Sequence, residues 1–236
     1  MSLEVQIHEA QTSILRELLF LPAAGFAELQ KPTGLTSDHF TFHISRLVEL
    51  GLVERVARGK YRLTVKGKEY ANRLDTDNNT VERQPKTAVL LLVERVREGR
   101  IEYVFQQRLK HPYFGFWGRP TGKIRWGETI VQCAERELME ETGLNADCRV
   151  LGVYHELTQE KGSGELLEDK IFFYAHCTNV RGVLRERFDG GTNAWMTLDV
   201  VLAQEKTFGN FGVGQEILTG KTVILEGVRE YDREVF

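Results

Sequence analysis

The chain has 236 residues, 42% hydrophobic and 28% charged, with a formal net charge of -3. That composition suits one large packed domain or two small ones and excludes a collagen-like, mucin-like or largely disordered chain. The longest apolar run, Ala88 to Val93, is far below the roughly 20 residues of a membrane span. Glu4 and Glu9 stand where a secretory signal would be basic and then apolar, and Cys133, Cys148 and Cys177 make neither an even-numbered framework nor a CxxC clip. The expectation is a cytoplasmic chain with reduced thiols and no membrane partner.

Ile7, Ile14, Leu15, Leu18 and Leu19 recur at helical spacing until Pro22, and a short helix follows from Phe26 to Gln30. Thr36 or Ser37 caps a third helix with Phe40, Ile44, Leu47 and Val48 on one face and Gly51 as its stop. Strands from Leu52 to Val56 and from Tyr61 to Leu63 enclose a turn, and a helix from Val65 to Leu74 closes the unit. The run HFTFHISRLVELGLVERV, followed by KYRLTVKGKEY, resembles the winged helix-turn-helix family over residues 4–74, which places a first domain at 1–74.

That resemblance implies duplex DNA as a partner, with the third helix in the major groove and the ribbon on the backbone. Between residues 55 and 73, Arg55, Arg58, Lys60, Arg62, Lys66, Lys68 and Arg73 stand against one acid, Glu69, the excess that phosphate contact requires. Arg46, Arg55, Arg58, Lys60 and Arg62 are the expected DNA contacts. The outer face of the third helix presents Asp38, Phe42, Ser45, Arg46 and Glu49. Its two acids keep a docking or dimerisation module open as the alternative, with Phe42 against a thymine methyl or in a homodimer. His39 and His43, at i and i+4, lack a third ligand nearby and are read as helix surface.

From Arg73 to Lys86 the sequence RLDTDNNTVERQPK is polar and precedes a strand-like run, which places a linker at 75–86 and a second domain at 87–236. Strands are expected from Thr87 to Glu94, Ile101 to Gln107, Arg149 to Leu157 and Lys170 to His176, with a helix from Leu198 to Gln204.

Within this half, Gly122, Glu128, Arg136, Glu137, Leu138, Glu140, Glu141, Gly143 and Leu144 fill every fixed position of G-x5-E-x7-R-E-U-x-E-E-x-G-U, where U is aliphatic. A chance match in such a chain is on the order of one in ten million. The pattern is the Nudix box, and residues 86–220 resemble that family. Glu128 to Thr142 reads as a helix whose apolar face carries Ile130, Val131, Ala134 and Leu138, with Glu137 and Glu141 bordering it. Carboxylates at i, i+3 and i+4 repel one another, and Arg136 alone does not neutralise them. A hard divalent cation with oxygen ligands does; the bland alternative is a solvated helix edge.

The resemblance implies an α/β fold, an α/β/α sandwich with a mixed sheet, and Mg2+- or Mn2+-dependent hydrolysis of a nucleoside diphosphate-linked substrate. It implies Glu137, Glu140, Glu141 and Gly122 as metal ligands, and Glu141, Glu140, Glu137 and Arg136 as the catalytic set, with Glu141 a candidate base. Loop acids Glu165, Glu168 and Asp169 are the other candidates for that role. Arg119 and Lys123 are expected to bring positive charge to the substrate and Phe116 to stack on its base, at least one of Phe116 and Trp117 being core instead. Thr121 stands where the family usually has a second glycine, and the proline that ADP-ribose-cleaving members carry beyond the box is absent, Pro120 being the last in the chain. Three readings remain: a pyrophosphohydrolase with a DNA-binding or docking module, a transcription regulator whose Nudix domain senses a nucleotide, and an assembly module joined to an enzyme.

Overall fold

The computed structural model describes residues 7–75, 80, 81 and 83–236. The chain divides into two compact units, residues 1–83 and 84–236.

In the first unit, α1 (Glu9–Phe20) starts at His8, whose Nδ1 accepts from the Ala10 amide at 3.1 Å while Gln11 accepts from the His8 amide at 3.0 Å. These bonds satisfy donors that a helix start leaves open. Then come β1 (Ala24–Gly25), α2 (Phe26–Thr33), α3 (Ser37–Glu49), β2 (Val53–Ala57), β3 (Lys60–Leu63) and α4 (Val65–Ala71). The strands form a small sheet in the order β1-β3-β2. Ile14 and Leu15 of α1, Leu29 of α2, and Phe40, Ile44 and Leu47 of α3 share one buried core with Val53 and Tyr61. Gly51, at φ +69, releases the chain from α3 into the ribbon, a backbone state that costs glycine little.

Helix α4 ends at Ala71 rather than at Leu74. Leu74 joins the same core from β4 (Leu74–Asp75), which pairs antiparallel with β5 (Thr80–Val81). The expected linker therefore contains part of a two-stranded ribbon, while its residues 76–79 and 82 lie outside the described residues.

The second unit contains β6 (Lys86–Arg97), β7 (Arg100–Arg108), β8 (Trp117–Gly118), β9 (Thr121–Lys123), α5 (Ile130–Thr142), β10 (Leu144–Glu160) and β11 (Leu166–Gly182). It continues through β12 (Arg187–Phe188), β13 (Gly191–Met196), α6 (Leu198–Leu202), α7 (Phe211–Leu218) and β14 (Ile224–Tyr231). The sheet runs β12-β13-β7-β6-β11-β10-β14, with β8 on β7 and β9 on β6. It is mixed: β6 is parallel to β11 and β10 to β14, and the other pairs are antiparallel.

Ala88 to Val93 of β6 are buried without interruption, as a strand covered on both faces must be. Val89, Leu91 and Val93 meet Ala134 and Leu138 of α5, while Leu90 and Leu92 meet Tyr154 and Tyr174 of the sheet and Ile217 of α7. Helix α5 thus covers one face and α7 the other. Neither α7 nor β14 follows from the sequence pattern above. Among the described residues no helix is long and apolar enough to cross a membrane.

Candidate active site

Helix α5 begins two residues later than the hydrophobic pattern predicts. Thr129 is its cap: its hydroxyl accepts from the Gln132 amide at 3.3 Å and Gln132 accepts from the Thr129 amide at 2.9 Å, a reciprocal cap that fixes the first turn. Glu128 therefore lies outside the helix, where its Oε2 accepts from the Arg125 amide at 3.0 Å. From there it meets Arg136 across two bonds, Nε to Oε1 at 2.6 Å and Nη2 to Oε2 at 2.8 Å. The paired guanidinium holds the Glu128 carboxyl down at about 2, because a bidentate arginine favours the charged acid.

Arg136 also donates from Nη1 to Glu137 at 2.6 Å and to Glu140 at 3.1 Å, and from Nη2 to the Lys123 carbonyl at 3.1 Å. One arginine thus ties three acids to the strand that precedes the helix. Glu137 in turn leaves no room beside Gly122: a Cβ built on that glycine would sit 1.9 Å from the Glu137 Cδ. The box glycine is required by close approach, since its φ is not in the left-handed region.

Glu141 is held from β7. Gln106 Nε2 donates to Glu141 Oε2 at 2.9 Å, and Asn193 Nδ2 on β13 donates to the Glu141 carbonyl at 2.9 Å. Burial pushes the Glu141 carboxyl upward; the Gln106 bond opposes that, Glu137 adds to it, and Lys110 and Arg108 oppose it. Gln106, Arg108 and Lys110 form a polar and basic flank to Glu141 that the sequence reading missed.

The donor set fits a hard divalent ion in part. Glu137 and Glu141 are near enough for one charge to raise the other's proton affinity, a repulsion that a cation relieves, and the space beside Gly122 admits no larger residue. Glu140 faces elsewhere, accepting from Arg125 at 3.1 Å as well as from Arg136. Among the described residues no three acidic side chains converge closely enough to hold a metal in this arrangement. To join Glu137 and Glu141, Glu140 has to exchange its arginine bonds for the ion.

Two of the expected substrate contacts lie elsewhere. Arg119 is buried on the α7 face of the sheet, opposite α5, with its guanidinium 4.6 Å from the Tyr103 ring centroid and 5.1 Å from that of Phe105. Its three side-chain nitrogens have no hydrogen-bond partner, and burial lowers its pKa to about 10. Arg119 directly follows β8, which pairs with β7, the strand that carries Tyr103 and Phe105.

Phe116 is core, packed on Tyr113, Phe208 and Tyr231 with ring centroids 5.8, 5.4 and 6.0 Å away. The exposed large aromatic side chains between β7 and α5 are instead Phe114, 50% exposed, and Trp126, 92% exposed. Lys123 is exposed at the end of β9. The loop acids all have partners: Glu165 pairs with Arg233, Glu168 with Lys86 at 3.2 Å and with Lys170, and Asp169 with His155 at 2.8 Å.

In the first unit, Arg46 pairs with Glu49 at 2.9 Å, Arg62 with Glu54 at 2.6 Å, and Arg55 lies over the Tyr61 ring. Among the described residues, Arg58 and Lys60 at the ribbon tip are exposed and have no ion pair. Phe42 is 68% exposed on α3. His43 stacks against His8 with ring centroids 4.5 Å apart, so its ring is engaged within the helical core's edge.

The mouse oxidized purine nucleoside triphosphate hydrolase is 42% identical over 62 residues, which are 26% of this chain and 39% of that protein. The match thus spans about two fifths of the curated relative's length. The NUDIX domain of Shewanella oneidensis NrtR, solved with ADP ribose, superposes with a TM-score of 0.51 at 18% identity, covering 65% of this chain and 97% of that one. A MutT protein from Bacillus halodurans gives 0.49 at 22% identity, covering 64% and 93%. The NUDIX domain description itself matches residues 83–214, more than half of the chain and all of the network around Arg136, and the chain belongs to the NUDIX family.

Proposed function

We propose that the second unit hydrolyses a diphosphate bond in a nucleoside diphosphate-linked substrate with Mg2+ or Mn2+, and that the first unit is a winged helix-turn-helix module for duplex DNA. The observation that carries the enzymatic reading is Glu141: a largely buried carboxylate fixed by Gln106, raised in proton affinity by its burial, and adjacent to the ordered Arg136 network. An acid so placed accepts a proton from an attacking water. Arg136 fixes Glu137 and Glu140, Gly122 gives Glu137 its space, and Arg108, Lys110 and Lys123 bring positive charge to the phosphates. A bound divalent ion, held by Glu137, Glu140, Glu141 and the Gly122 carbonyl, supplies charge neutralisation and a more acidic water.

The mouse relative's name makes oxidized purine nucleoside triphosphates the first substrates to test, and the ADP ribose of the NrtR complex the second. Purified protein with Mg2+ or Mn2+ is expected to release phosphate or pyrophosphate products from at least one nucleotide in such a panel. Glu141→Gln is expected to keep the fold and lower the rate by at least two orders of magnitude, about the scale of losing a general base. An unchanged rate in that variant overturns the assignment.

A nucleotide sensor with little turnover is the second reading. The double engagement of Glu140 by Arg125 and Arg136 favours it, since those bonds compete with a metal. Binding without turnover across the panel would select it.

A further inference from the structure

Cys148 on β10 and Cys177 on β11 are direct partners in the antiparallel register, and their Sγ atoms lie 2.8 Å apart. Residues directly opposed on antiparallel strands have Cα atoms roughly 4.5–5.5 Å apart, inside the window of roughly 4.4–6.8 Å that a disulfide accepts. An odd cysteine count conceals the pair in the sequence. The third cysteine, Cys133, is buried on α5 with its Sγ 3.5 Å from the Lys123 carbonyl oxygen.

The two thiols are unequal. Cys148 is partly exposed, whereas Cys177 is fully buried against Ala134 and Leu138 of α5. The contact with Cys177 pulls the Cys148 thiol below the usual range, and the same contact, with burial, pushes Cys177 upward. Of the two residues only Cys148 is open in part to solvent, the arrangement of an attacking thiol beside a resolving one.

We propose that Cys148 and Cys177 are an oxidative modification site: an intrachain, reversible disulfide between β10 and β11, closed by hydrogen peroxide and reopened by a dithiol. The Cys148 thiolate attacks one peroxide oxygen and the O–O bond breaks. The departing hydroxide takes up a proton to leave as water, and Cys148 is left as the sulfenic acid. The Cys177 sulfur then attacks the Cys148 sulfur, the S–S bond forms, and the hydroxyl departs with the Cys177 proton as a second water. Two thiols lose two electrons and two protons, and one peroxide becomes two waters. A dithiol reverses this by thiol–disulfide exchange, itself becoming the disulfide. The bond clips the β10–β11 hairpin beneath the helix that carries the acids.

The test uses the full chain, treated with hydrogen peroxide, alkylated after unfolding and mapped by mass spectrometry. The expected product has lost about 2 Da, links the Cys148 and Cys177 peptides, alkylates only at Cys133, and returns to three free thiols with dithiothreitol. The linked form is expected to melt several degrees higher than the reduced form, since a cross-link restricts the unfolded chain. Cys133→Ser is expected to retain the linkage and Cys148→Ser to lose it. Three alkylated thiols after peroxide, oxidation of Cys148 to the sulfinic acid without linkage, or a cross-link between chains would each overturn the proposal; all are read on the wild-type protein, so no variant has to fold for the test to decide.

Discussion

Gln106 and Glu141 face each other from adjacent elements, a strand and the box helix, and the amide donates to the carboxylate at 2.9 Å. A donor to the charged form lowers a carboxyl pKa, and burial at this site acts the other way. Gln106→Leu leaves the acid with burial and Glu137 and without that bond, so its pKa rises. A base must be unprotonated, so the acid limb of kcat/KM against pH is expected to move to higher pH. The rate at its plateau is expected to fall about tenfold to hundredfold, the scale of a lost bond to a charged group at ~1–3 kcal/mol. An unshifted acid limb would remove Gln106 from the site.

The relocation of Phe116 and Arg119 has separable consequences. Phe116→Ala opens a hole among Tyr113, Phe208 and Tyr231 and is expected to cost about 3–5 kcal/mol of stability, read as a lower denaturant midpoint. Phe114→Ala, at an exposed ring, is expected to leave the midpoint in place and raise KM. Arg119→Met replaces an unpaired buried cation with an apolar chain and is expected to match or exceed wild-type stability, with KM unchanged. A large KM increase in that variant would restore Arg119 to the substrate.

Glu128 carries a definite pH signature. Its folded pKa, about 2, is below the ordinary value of about 4.3, so its contribution is fully present above the ordinary value and is lost as pH falls toward the folded one. Glu128→Gln is expected to be less stable than wild type at neutral pH and to lose less on acidification to about pH 3. Urea midpoints at both pH values measure the difference, and parallel losses would show that Glu128 gains nothing from Arg136.

Arg125 holds Glu140, one of the acids proposed to bind the ion, at 3.1 Å. Arg125→Gln frees one oxygen of that acid and is expected to tighten Mn2+ binding by up to about fivefold, the scale of an exposed ion pair, as read from the free-ion signal in electron paramagnetic resonance. Unaltered affinity would mean that Glu140 is not a ligand.

At the ribbon tip, Arg58 and Lys60 are exposed and, among the described residues, have no ion pair, while Arg55 is engaged with the Tyr61 hydroxyl and ring. Replacing both with glutamate is expected to weaken binding to duplex fragments and to flatten the slope of log affinity against log salt by about two units. A wild-type protein with no salt-sensitive affinity for any duplex would favour the docking module.

How much of this was legible in the sequence differs from residue to residue. The box identifies the acids because their spacing is local, set within one helix and the strand before it. The start of α5 was legible as well, in Thr129 and Gln132 three residues apart, although the apolar pattern pointed earlier. Gln106 left a fainter signal as the polar end of the buried run Tyr103, Val104, Phe105 within β7. The direction of Arg119 was not legible: it depends on which face of a short extended segment meets the sheet. Helix α7, with two glycines in eight residues, and β14, parallel to a strand far back in the chain, owe their form to tertiary pairing rather than local pattern. The Cys148–Cys177 pair needed the register of β10 against β11.

Strand β6 ties the parts of the site together. Gly122 is registered against Val89, the Leu91 amide donates to the Pro120 carbonyl, α5 rests on Val89 and Leu91, and β7, which carries Gln106, turns directly out of β6. The acids, their glycine and their glutamine thus share one mechanical datum, and their spacing can drift only if β6 itself loosens. Its amides should be among the slowest in the unit to exchange with deuterium, tracking global opening rather than local fraying. Heat or denaturant would then extinguish the site and this half of the fold in a single step.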